Sequence, residues 1–232
     1  MLNVRRSSCV WTFLLCSLAT LAATTAKAQE SQHPTRDRQL DRVDLAISGV
    51  GQLNRDSSGT ATVNAVPTTV TLVPSNTVAV LVTLRYTKSP FLGLEFNYGH
   101  ARYDENFAPF GILPPPGQPP LSAGVQQDTS EYTVGYVAHL HPLFGVKPFA
   151  SAGLGTLAFR PTPGGGEGLI NQARAVYYYS VGAEQNIFAS HFGIRVQIRQ
   201  AFFKAPDFEQ NYLTIQQHTS TFEPGIGFFL HF

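Results

Sequence analysis

Apolar and polar residues alternate with a period of two through most of the chain beyond residue 43. The alternation recurs in eight blocks, at roughly 43–53, 77–87, 91–103, 129–140, 146–159, 175–187, 192–204 and 218–232. A period of two marks a strand whose two faces meet different surroundings. In the second block Val78, Val80, Val82, Leu84 and Tyr86 share one face, and in the sixth Tyr177, Tyr179, Val181, Ala183 and Ile187 do. In the last block Phe222, Ile226, Phe228, Leu230 and Phe232 oppose Glu223, Gly225, Gly227, Phe229 and His231. Each block supplies the ~9–11 residues that a tilted strand needs to cross a bilayer. The first and fifth blocks are blurred by Gly49, Gly51, Gly153 and Gly155; glycine in a narrow barrel can relieve crowding or let backbones approach. Pro148 and Pro224 each remove a ladder hydrogen bond, so both are expected near a rim or a bulge.

The connections alternate in length. Those at 88–90, 141–145 and 188–191 are short, and those at 54–76, 104–128, 160–174 and 205–217 are long. A soluble meander has no reason to put every long loop at one end, whereas an outer-membrane barrel has short periplasmic turns and long extracellular loops. Hairpin register gives a second check. Pairing residues whose numbers sum to 178, 286 and 379 across the three short turns keeps apolar opposite apolar each time.

The remaining face is polar. It carries Asp44, Arg85, Glu95, Glu131, Glu184, Arg195, Arg199 and Glu223, together with His139 and Gln197. These registers set Glu184 opposite Arg195 and Arg85 one diagonal step from Glu95. Pairing 204 with 218 sets Arg199 opposite Glu223. Eight strands leave an interior just wide enough for side chains to fill. Buried charges there must pair. The expected lumen is therefore an ion-pair network and not an open pore.

Composition adds a compartment. Arg5 and Arg6, the apolar run from Cys9 to Ala23 and Ala26-Lys27-Ala28 read as a secretory signal peptide over residues 1–28. Residues 29–42 read as a periplasmic leader and 43–232 as the barrel domain. Both cysteines, Cys9 and Cys16, lie in the signal, so the mature chain is expected to have no thiol chemistry. Removal of the signal takes Lys+Arg from 16 to 13 against 15 Asp+Glu, a formal charge of −2, which is no footprint for nucleic acid. Charged residues are 13 % of the chain, about half the usual ~25 % of soluble domains. Something other than water is expected to cover much of the surface.

Candidate chemistry is sparse. His139, His141, His191 and His231 fall at the short-turn end without metal-ligand spacing, and no cofactor or metal is expected. The glycine run 164–166 lies in a long loop beside prolines, away from any strand-to-helix turn that would cradle phosphate. The segment 109–120 (PFGILPPPGQPP) reads as a proline-stiffened loop, with a partner surface as the alternative. His218 and Ser220 are two apart at the start of the last strand, with Glu131 or Glu223 as a carboxylate to orient the histidine. This His-x-Ser pair resembles that of outer-membrane lipid A deacylases. The resemblance stops at those two residues, because Thr221 to Gly225 does not continue the family's pattern.

Taken together, residues 43–232 resemble the small eight-stranded outer-membrane barrels of the OmpA/OmpX type. Lys204 to Phe208 and His218 to Gly225 also resemble uncharacterised bacterial outer-membrane β-barrel proteins. The expectation is an all-β, eight-stranded antiparallel up-and-down transmembrane β-barrel with both termini periplasmic. The resemblance implies residence in the outer membrane of a Gram-negative-type bacterium, among outer-membrane lipids and lipopolysaccharide. It also implies that Phe228, Leu230 and Phe232 form the signal read by the barrel assembly machinery. A structural or surface-interaction role through the long loops, with an extracellular ligand there, is the leading functional reading. A lipid A-modifying hydrolase and a small conduit for apolar solutes are the alternatives.

Overall fold

The computed structural model describes residues 41–63, 66–89, 91–108, 123–188, 191–210 and 213–232 of the 232-residue chain. The expected signal peptide, most of the leader and the proline loop 109–120 lie outside the described residues. The described part contains ten strands: β1 (Val43–Asn54), β2 (Ser57–Val63), β3 (Val66–Pro74), β4 (Thr77–Ser89), β5 (Leu92–Ala108), β6 (Ala123–His139), β7 (Val146–Pro161), β8 (Gln172–Phe188), β9 (Phe192–Lys204) and β10 (His218–His231). Eight of them close into an antiparallel barrel, in the order β1-β4-β5-β6-β7-β8-β9-β10 with β10 returning to β1. No described helix is long and apolar enough to cross a membrane.

Parity decides which side chains line the lumen. On β5 the odd positions Glu95, Asn97, Ala101, Tyr103, Glu105 and Phe107 are buried, while Leu92, Leu94 and Phe96 are exposed. On β10 Glu223, Gly227 and Phe229 point inward, while Phe222, Ile226, Phe228, Leu230 and Phe232 lie outside. Val78, Tyr136 and Ile226, at 76 %, 66 % and 62 % exposure, belong to a continuous apolar belt around the outer wall. Moving each such side chain out of water is favourable by about 1.5–3 kcal/mol, so this wall is built for a non-aqueous solvent.

Two expected registers shift and two hold. Across the turn after β4, Arg85 stands directly opposite Glu95, two positions beyond the expected pairing. The turn closes with Ser89 opposite Leu92, so its centre lies beyond the expected one, and a bulge between Thr87 and Ser89 takes back one position. Across the β6–β7 turn, His139 pairs with Phe149, again two positions on. The tight turn is Phe144-Gly145, both at positive φ (51° and 82°), closed by the Leu143–Val146 bridge. Its centre therefore lies nearer β7 than the midpoint of 141–145. Glu184 opposite Arg195 and Arg199 opposite Glu223 match the expected pairing.

Two further expectations are corrected. The stretch 54–76 contains a hairpin as well as loop: β2 pairs with β3, and β3 pairs with the upper end of β5. Pro148 does sit at a rim as the third residue of β7, but Pro224 lies in mid-strand. The β1–β10 ladder is interrupted beside Pro224, between the Val50–Gly225 and Leu53–Phe222 pairs, with no change of register.

Candidate functional site: the closed lumen and its two rims

The lumen is filled at three levels. Nearest the short-turn end, Arg85 donates to Glu95 at 2.9 Å and to Glu184 at 2.5 Å. Glu184 also accepts from Arg195 Nε at 2.8 Å. Arg85 lies 4.5 Å over the Phe149 ring, and Arg195 sits between Phe149 and Phe229. Below them Asp44 bonds His231 at 2.5 Å, at the edge of a vestibule of about 550 Å³ that is also bordered by Arg42, Lys88, His139 and Lys147.

In the middle of the barrel Arg199 bridges two carboxylates, Glu223 at 2.5 Å and Glu131. Thr221 and Thr133 donate to the same two groups, at 2.8 and 3.2 Å. Tyr178 joins the lower and middle levels. Its hydroxyl donates to Glu95 at 2.9 Å, and Arg199 lies 4.5 Å over its ring. Room for that ring comes from Gly135 and Gly153, where a Cβ would fall 2.2 Å from the tyrosine hydroxyl and 2.6 Å from a ring carbon. Asp44, Arg85, Glu95, Glu131, Glu184, Arg195, Arg199 and Glu223 are all buried, and Asp44 bonds His231.

Towards the long-loop end the interior changes character. The expected polar face gives way to an apolar cluster that includes Phe107, Phe159, Val176 and Phe203 from the wall, Val70 and Leu72 from the hairpin, and Phe208, Leu213 and Ile215 from the β9–β10 connection. That connection lies across the mouth as a strap. Gln172 at the start of β8 clamps it, donating to Asp207 at 2.7 Å and accepting from the Asp207 and Phe208 amides. Arg174 adds an ion pair to Asp207 at 2.8 Å. Burial alone would raise the Asp207 carboxyl, but the Gln172 bond, the Glu209 amide and Arg174 together hold it below the usual range. Phe208 and Glu209 have positive φ (48° and 60°), so the strap turns sharply over the cluster.

Glu105 belongs to this upper region, beyond the apolar belt, where the outward neighbours on β5 are His100, Arg102 and Asp104. Burial pushes its carboxyl up to about 8, opposed only by the hydrogen bond from Gln127 at 2.8 Å. The sequence reading missed Glu105, Tyr178, Gln172 and the strap. The first two lie on the inward parity of their strands, a signal that was available. The clamp joins residues 35 apart through a loop, and no local pattern announces it.

The hydrolase candidates do not converge. His218 is exposed and lies on the outward side of β10, whereas Glu131 and Glu223 point inward and are bonded to Arg199. Strand parity keeps the wall between them, so neither carboxylate orients the histidine. Ser220 is covered, at the rim of a polar recess. Among the described residues no group of three acidic, histidine or cysteine side chains is placed to hold a metal ion.

No protein-family model and no curated protein matches the sequence. The barrel itself is matched. The outer-membrane protein OprG from Pseudomonas aeruginosa superposes with a TM-score of 0.56 at 12 % identity, over 82 % of this chain and 95 % of that one. The fold is that of the small outer-membrane β-barrels. Neisserial surface protein A is also similar, with a TM-score of 0.49 at 14 % identity, over 82 % of this chain and 97 % of that one. In this fold the outward belt is the face that meets lipid. At such identity the likeness extends to architecture, and the chemistry must be read from this chain's own residues.

Proposed function

We propose that the protein is a closed, non-conducting barrel of a bacterial outer membrane that carries a folded platform at the cell surface. The long-loop end faces outward and both ends of the barrel sequence face the periplasm. The β2–β3 hairpin, the upper wall of β5–β8 and the strap form the platform, and contact with molecules outside the cell is its role. Outer-leaflet lipid, including lipopolysaccharide, surrounds the belt, and the β10 face of Phe228, Leu230 and Phe232 is the assembly signal.

The observation that carries this reading is the filled lumen. Two charged levels and an apolar plug lie in series, and the plug is made by the loops themselves. A conduit for apolar solutes would need the strap and hairpin to leave together. A hydrolase at His218 and Ser220 would need a carboxylate on the outer face other than Glu131 or Glu223.

The test is conductance. Purified full-length protein, shown to be folded by its heat-dependent gel mobility, is added to planar bilayers beside a porin control. The expected result is no unitary current steps. Reproducible steps of constant size would overturn the closed-barrel reading.

A further inference from the structure

We infer that the outer face of the β1–β10–β9 wall holds a site for the phosphorylated headgroup of an outer-leaflet glycolipid. The inference rests on the membrane orientation proposed above and deepens it to named residues.

The argument follows the rows of outward side chains. Leu53 pairs with Phe222 and Phe222 with Gln200, which marks the upper margin of the apolar belt on this side. The next row up holds Arg55, Ser220 and Phe202. Arg55 donates its amide to Ser220 at 3.0 Å, and Ser220 pairs with Phe202. The row above that pairs His218 with Lys204. Successive rows stand about 6–7 Å apart along a strand, so both cation-bearing rows fall at the depth where acyl chains give way to headgroups.

The backbone here is pinned. Thr219 Oγ1 donates to the Arg55 carbonyl at 2.7 Å, so Arg55 leaves the barrel at a fixed point. Beside it opens a recess of about 310 Å³ bordered by Arg55, Asp56, Ser58, Phe202, His218 and Ser220. Ser57 also borders the recess, and its buried hydroxyl has no hydrogen-bond partner. Among the described residues neither Arg55 nor Lys204 has a carboxylate partner within ion-pair distance. Both stay available to an incoming anion, while Asp56 is the one carboxylate on the recess.

The combination fits one ligand chemistry. Arg55 on the recess suits a phosphate monoester, with Lys204 beside it opposite His218, the hydroxyls suit sugar oxygens, and the apolar wall immediately below suits the attached acyl chains. Free phosphate offers only the first of these contacts. The lipid source is therefore favoured over the soluble one.

The experiment uses the full-length protein in phosphatidylcholine nanodiscs, with native mass spectrometry counting bound lipid A. Dephosphorylated lipid A and inorganic phosphate form separate arms. Retention of the phosphorylated lipid is expected, at least tenfold weaker for the Arg55→Ala/Lys204→Ala variant and restored by Arg55→Lys/Lys204→Arg. The dephosphorylated lipid should bind wild type no better than the phosphorylated lipid binds the alanine variant. Equal retention by wild type and alanine variant, or inorganic phosphate competing at equal concentration, overturns the site. Heat-dependent mobility of both variants separates misfolding from lost binding. Loss of that mobility shift in the wild type would instead sink the membrane reading beneath it.

Discussion

Arg199 is the residue whose removal should be felt most. It is 2 % exposed, and among the described residues it is the only cation bonded to Glu131 and Glu223. Arg199→Met keeps most of the volume but leaves two buried carboxylates facing each other with only Thr133 and Thr221 as partners. Removing one partner of a buried ion pair costs about 3–5 kcal/mol, and here two acids are orphaned, so the upper part of that range applies. Glu131→Gln should behave oppositely. It leaves Arg199 and Glu223 one-to-one and removes the surplus negative charge, so stability should stay within about 1 kcal/mol of wild type. The assay is urea unfolding in lipid vesicles, read as the fraction keeping folded gel mobility, since the chain's single tryptophan lies in the expected signal segment. Arg199→Met with a midpoint equal to wild type, or Glu131→Gln more damaging than Arg199→Met, would refute the charge accounting.

Three further outcomes follow from the same geometry. The Glu105 carboxyl is raised to about 8, so the folded state holds its proton more tightly than the unfolded chain does; the contribution of Glu105 to stability is fully present below about pH 4, falls by a few kcal/mol towards pH 8 and then levels off. Glu105→Gln should remove that slope in urea midpoints taken at pH 5 and pH 9, and an unchanged slope would assign it elsewhere. Asp207 is lowered, so its support for the strap is present above about pH 4 and lost as pH falls through its folded value; Asp207→Asn at neutral pH should speed amide exchange over 205–210, with unchanged exchange counting against the clamp. Gly227→Val would set a Cβ 2.2 Å from the Ile47 carbonyl and 2.5 Å from Ser48 Cα, and should abolish the folded gel band, whereas Gly49→Ala meets nothing within 4 Å and should fold normally.

The eight wall strands are legible in the sequence because lipid outside and a charged lumen inside impose opposite chemistries on alternate residues. Register is legible only where the turn is simple. The β8–β9 pairing follows from turn length, while the β4–β5 turn, closed by Ser89 opposite Leu92, and the Phe144-Gly145 turn are centred further along the chain and leave each ladder two positions from the expected one. The β2–β3 hairpin was open to reading in the β-branched runs of Ser57–Val63 and Val66–Pro74, but their Ser, Thr, Gly and Pro content also reads as loop. The apolar plug is hardest to see. Above the belt an inward Phe159 or Phe203 looks like any core residue, and only the strap, arriving from far along the chain, gives it a partner. The hydrolase candidates fail for a reason visible from parity alone, because His218 and Glu223 are five apart and so fall on opposite faces.

Carbene footprinting from lipid-anchored diazirines in proteoliposomes tests the partition of the two faces most directly. On β10, label should appear on Ile226, Phe228 and Leu230 and be missing from Glu223, Gly227 and Phe229, in step with their burial. Label on both parities, or on neither, would contradict a barrel whose outer face meets lipid and whose charged face is sealed within.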